Sequence, residues 1–181
     1  MSVGWKQLIV VGKVVLLLAI AIVLQTLLIS RVSVLGVTAD LFLILTVVVA
    51  VSRGSMEGAI FGFFAGVIAD IAFFQPLGVR ALIYVLAGYF VGMFVARFGT
   101  LTIWGILLLA GTTSFAAQFV FGLFLYTMGP RAAFLTMVGT QMLPEAILDA
   151  LVTVPVYALL VRLRVLPAPR VEPAAGRTGA E

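Results

Sequence analysis

The chain has no cysteine and no histidine, and only 10% of its residues are charged. Without cysteine, neither disulfides nor thiolate chemistry is open to it, and the redox compartment leaves no mark on the sequence. Without histidine, the commonest metal ligand and proton shuttle is missing. The usual catalytic triads and histidine-based zinc sites go with it. No GxxxxGK[ST] run is present to cradle a phosphate, and the glycines lie inside an apolar helical run. The carboxylates are scattered singly, whereas a metal-dependent phosphotransferase would gather several at one site. The net charge of +4 comes from arginines in loops and tail, with no dense basic block of the kind that binds nucleic acid. An enzyme, a metal protein and a nucleic-acid binder are all poor fits, and no cofactor is expected.

What the chain does have is apolar length. Hydrophobic residues make up 64% of its 181 positions, against about 45–50% for an ordinary soluble domain. Several runs reach the roughly 20 residues that cross a hydrocarbon core about 30 Å thick. The pattern predicts an all-α integral membrane protein, a bundle of six transmembrane helices over residues 8–30, 34–52, 55–74, 79–97, 101–127 and 145–163. The first run is longer than a signal-peptide core and no small-x-small cleavage site follows it, so it reads as a retained helix. The second starts at Asp40 or, with Gly36 inside it, nearer Val34; from Asp40 alone it would span only about 20 Å, so the longer version or a local thinning of the bilayer is needed. Pro144 and Pro155 interrupt the last apolar stretch, which splits it into an interfacial segment over 132–143 and the sixth helix. Residues 1–163 form one transmembrane domain. The tail 164–181, rich in Pro, Ala, Gly and charge, is expected to be disordered.

Six crossings put both termini on one side of the membrane. That side would hold Lys6, Lys13, Arg53, Arg97, Arg162, Arg164, Arg170 and Arg177, and the other Arg31, Arg80 and Arg131. The asymmetry places both termini in the cytoplasm.

Within the third helix, glycine recurs every four residues at Gly54, Gly58, Gly62 and Gly66, and the next step of the row is Asp70. The fourth helix carries its own pair, Gly88 and Gly92. Such rows admit a neighbouring helix at close range. Each four-residue step advances about 40° around the axis, so the row winds farther than one straight neighbour covers. One reading is packing within the chain along the whole row; the sharper one is that the inner half, to Gly62, packs within the chain while the part near Gly66 lies closer to a partner's helix. The opposite surface, with Phe61, Phe64, Ile68 and Ile71, would face lipid or a looser interface. The intramembrane polar residues Asp40, Asp70, Arg80, Glu145 and Asp149 map to the outer half of the bundle. Asp70 is expected to pair with Arg80 across the QPLG turn as a clasp, and Glu57 to sit beside Arg53. Anchoring of helix ends and a ligand or partner site are both open readings of the outer cluster.

The run from Thr38 to Gly92 resembles the core of the bacterial rod shape-determining protein MreD family. The resemblance rests on Asp40-Leu41, Arg53-Gly54, Glu57-Gly58, Gly62-Phe63, Gly66, Asp70, Leu77-Gly78, Ala81-Leu82 and Gly88-Tyr89, with Pro144 at a plausible family position. Ala39 departs from it, since proline commonly precedes the acid in the family. The resemblance implies a non-enzymatic inner-membrane component of the cell-elongation machinery that helps control rod shape and lateral peptidoglycan synthesis. It implies direct binding of MreC, which has a single membrane helix. MreB, RodA and a class B penicillin-binding protein would form the wider complex, with membrane lipids around it and no nucleic acid. The family fold is similar to the substrate-binding subunits of energy-coupling-factor transporters, so a vitamin- or metabolite-binding subunit is the alternative function.

Overall fold

The structure, a computed structural model, describes residues 12, 16, 18, 19, 21–23, 25, 36–74, 76–99, 101–128, 134–163, 165 and 166. Its elements are α1 (Leu41–Arg53), α2 (Ser55–Ala72), α3 (Val79–Phe98), α4 (Ile103–Met128), the short α5 (Phe134–Met137), a π-helical turn (Val138–Met142) and α6 (Leu143–Arg162). Ahead of these, the described residues between Gly12 and Gln25 are also helical. Four spans are long and apolar enough to cross a membrane: α2, α3, α4, and α6 together with its π turn.

At the centre stands α1, where the ten consecutive residues from Leu41 to Ala50 are all buried. A helix that is apolar on every side belongs inside protein, and α1 packs on α2, α3, α4 and α6. Its 13 residues reach only about 20 Å, well short of the hydrocarbon thickness. The expected start near residue 34 is therefore corrected: Gly36 lies in a turn with φ +81°, and the helix begins only after Asp40. The short length is tolerated because the start of α1 is enclosed by side chains that satisfy its backbone, as irregular structure at membrane depth requires.

At the other end, Gly54 takes φ +103° and joins α1 to α2 without a loop. Arg53 and Glu57 form an ion pair of 3.1 Å around this corner. α2 ends at Ala72, two residues before the expected limit, where Phe74 adopts a left-handed φ of +53°. Phe61, expected on the outer surface, is buried at 1% exposure because it points into the core beside α1. Phe64 and Ile71 do lie on the outside.

The largest departure is at α6. The expected interfacial segment 132–143 does not stand apart: from Phe134 the helix runs through the π turn straight into α6. Both prolines are carried within this continuous run: Pro144 directly after the π turn, where the regular i→i−4 bonding is already interrupted, and Pro155 inside α6. Residues 132 and 133 and most of the tail 164–181 lie outside the described residues, although Leu166 is buried against the core.

Candidate functional site

The polar residues of the bundle meet where α1 begins. A helix start leaves its first amide groups without intrahelical partners, and here each is supplied from within the protein. The carboxylate oxygen Oδ1 of Asp40 accepts from the Phe42 and Leu43 amides at 3.1 and 3.2 Å. The Leu41 amide donates to Gln25 Oε1 at 3.1 Å, and Gln25 Nε2 donates to the Ala39 carbonyl at 3.1 Å. The amide of Asp40 itself donates to Asp149 Oδ1 at 2.8 Å. Carboxylates at a helix N-terminus also meet the positive end of its dipole.

Asp40 Oδ2 carries the second layer. It accepts from Arg80 Nη1 at 2.9 Å and from the Tyr84 hydroxyl, and Arg80 Nη1 also lies 3.0 Å from that hydroxyl oxygen. Arg80 and Tyr84 are four apart on α3, hence on one face. The guanidinium is further held between the rings of Phe73 and Phe121, 5.0 and 4.5 Å from their centroids.

The third layer is a ladder between α4 and α6. Ser114 Oγ donates to Asp149 Oδ2, and Gln118 Nε2 to Glu145 Oε1, each at 2.5 Å. Residues 114 and 118 on one helix meet 149 and 145 on the other, the pairing of an antiparallel couple. Asp149 is thus shared: one oxygen holds the start of α1 and the other holds α4.

Of the five predicted polar residues, Asp40, Arg80 and Asp149 therefore lie in one hydrogen-bonded network, with Glu145 beside it in its pair with Gln118. Asp70 adjoins it by another route. Its fully buried carboxylate accepts from the Gly78 amide at 2.7 Å and the Arg80 amide at 3.2 Å. The expected ion pair with Arg80 is corrected: Asp70 caps the backbone at the start of α3, and the guanidinium turns to Asp40. Gly78 makes this possible with φ +97°, a conformation that costs other residues more.

The glycine row is also placed differently. A Cβ on Gly58 would stand under 3.0 Å from Ala50 and the Gly88 carbonyl, and one on Gly62 from the Tyr84 carbonyl. One on Gly66 would meet the backbone of Ala81 and the Arg80 carbonyl as closely. In return, Gly88 fits against Gly58, and Gly92 against Ser55 and Gly54. The row from Gly58 to Gly66 is thus filled by α3, with α1 on its flank, while a Cβ on Gly54 would meet nothing; the space expected for a partner's helix at Gly66 is taken by α3. The physical reason is inclination. Rows of residues four apart lie about 26° off the helix axis, and a neighbour crossing obliquely follows them where a parallel one would diverge.

Sequence reasoning missed Gln25, Tyr84, Ser114 and Gln118. Each had a visible signal: an amide in the first apolar run, a tyrosine four after Arg80, and a Ser/Gln pair at four-residue spacing in a long apolar helix. Among the described residues, no group of acids is arranged to hold a metal ion.

No curated protein matches the chain, and no solved structure does. The profile of the family described as rod shape-determining protein MreD matches residues 6–164. With nearly the whole helical region covered, the chain belongs to the MreD family of membrane proteins, which act in rod shape determination.

Proposed function

We propose that this chain is a non-enzymatic scaffold in the bacterial cytoplasmic membrane that binds MreC and helps direct lateral peptidoglycan synthesis. It would act alongside MreB, RodA and a class B penicillin-binding protein. In this reading the chain crosses the membrane six times with both termini cytoplasmic. The observation that carries it is the family match over residues 6–164.

The packing supports a structural role. The polar side chains are spent on each other and on helix starts, and the cavity beside Asp40, Arg80 and Gln118 has a volume of about 10 Å³. Small-molecule sites run to about 300–1,000 Å³ with a few convergent polar groups. The alternative, a metabolite-binding transporter subunit of the same fold, finds no such pocket at these residues. Among the described residues, two larger apolar grooves flank α4, about 390 Å³ against α3 and 410 Å³ against α6. With the glycine row filled from within, the reading seats the membrane helix of MreC in these grooves.

Depletion of the protein from a rod-shaped host should give rounded cells, and affinity purification from native membranes should recover MreC. Ala116 opens onto the α3–α4 groove, so Ala116→Phe should leave the protein folded and weaken that recovery. Rod shape kept after depletion would overturn the role; undiminished recovery by the variant would overturn only the seat.

A further inference from the structure

Arg80 has a feature that the network described above leaves unexplained. Its Nη1 serves Asp40 and Tyr84, but its Nε is buried and has no acceptor among the described residues. The guanidinium cannot swing to find one, because Phe73 and Phe121 hold its faces. A buried donor on a charged group without an acceptor is strongly disfavoured, and buried polar atoms of this kind are commonly completed by an internal water.

The space for one is present. The cavity beside Arg80 is lined by the polar residues Asp40, Tyr84 and Gln118 and closed partly by Leu43 and Ala117. Its volume of about 10 Å³ lies at the lower end of the roughly 10–15 Å³ that holds one water. Gln118, whose Nε2 donates to Glu145, is among the residues that line it, and its amide oxygen is of a kind that can accept. A buried donor without an acceptor thus adjoins a one-water space lined by side chains that carry acceptors.

We propose that this cavity is a specific water site, in which one buried water accepts from Arg80 Nε and donates to Gln118 Oε1. The water joins the two parts of the polar network that no direct side-chain bond connects on this side: Asp40–Arg80–Tyr84 around α1 and α3, and Gln118–Glu145 between α4 and α6. An enclosed apolar cavity stays dry, but this one offers the two to four polar partners that a water needs.

Two measurements on the full chain test the site. A structure in lipid nanodiscs, resolved well enough to show ordered waters, should place one within hydrogen-bonding distance of both Arg80 Nε and Gln118 Oε1. A cavity without density, or Arg80 Nε bonded to a protein acceptor, overturns the proposal. The second is the sign of a cavity-filling change. Ala117→Val pushes a methyl group toward the water and should lower the thermal midpoint of the purified protein. A midpoint unchanged or raised, as when a dry void is filled, contradicts it.

Discussion

The α2–α3 and α4–α6 contacts are both antiparallel helix pairs, and they are held by opposite means. Between α2 and α3, glycines on both sides bring backbone against backbone along the row from Gly58 to Gly66. Between α4 and α6, the closest counterpart is Gly111, where a Cβ would stand 3.2 Å from that of Ala150, tight but without the overlap with backbone seen along the glycine row. There the helices are joined by two side-chain hydrogen bonds and leave an open apolar groove beside them. In lipid there is little hydrophobic drive between helices, so association depends on close packing and polar contacts. This protein puts the first on one side and the second on the other. The glycine seam leaves no room for a further helix between α2 and α3, and beside the polar ladder an apolar groove stays open among the described residues.

If that contrast is right, damage should differ in size between the two sides. The largest effect is expected at Gly62. A leucine there would drive into the Tyr84 carbonyl, beyond the 1–3 kcal/mol of ordinary overpacking, and folded protein should vanish from size-exclusion profiles of detergent extracts. A normal yield of Gly62→Leu would break the dry-side account. Arg80→Leu comes next, since it strands the buried Asp40 carboxylate. Removing one partner of a buried pair costs about 3–5 kcal/mol, visible as a steep fall in thermal midpoint. A double variant Asp40→Asn with Arg80→Leu should recover part of that loss, and failure to do so would sink the pairing.

Asp70→Ala removes a carboxylate from the start of α3, comparable to losing a helix cap, at about 1 kcal/mol. Asp70→Asn, which keeps one acceptor, should cost less; equal losses would argue against the capping role. The ladder variants Ser114→Ala and Gln118→Leu should be milder still, since interhelical hydrogen bonds in membranes average about 0.6 kcal/mol. Chemical unfolding in mixed micelles would measure them. Smallest is Arg53→Ala, which opens a half-exposed pair at the α1–α2 corner worth about 0.3–0.5 kcal/mol.

The contrast also explains what could be read from sequence. The glycine row was legible because packing of this kind leaves a strict four-residue signature on one helix and its complement, Gly88 and Gly92, on the next. Its partner was not, because the inclination of a neighbouring helix is a property of two helices and is written in neither alone. Asp40, Arg80, Glu145 and Asp149 stood out as charges in apolar surroundings. Their pairing did not, since Asp70 lies nearer to Arg80 in sequence than Asp40 does, and proximity across a turn suggested the wrong ion pair. The length of α1 was misjudged for a related reason: a span was expected, and only the enclosure by Gln25, Asp40 and Asp149 lets a 13-residue helix stand inside the bundle. Pro144 suggests a break, but the π turn before it lets the helix carry it.

The most direct test of the account is site-specific photocrosslinking in living cells. A photoreactive residue would be placed on the open side, at Leu108 or Val120 of α4, or on the exposed back of the glycine helix, at Phe64 or Ile71. The account predicts crosslinks to MreC from the α4 positions and none from the α2 positions. Crosslinks from Phe64 or Ile71, with none from Leu108 or Val120, would contradict it.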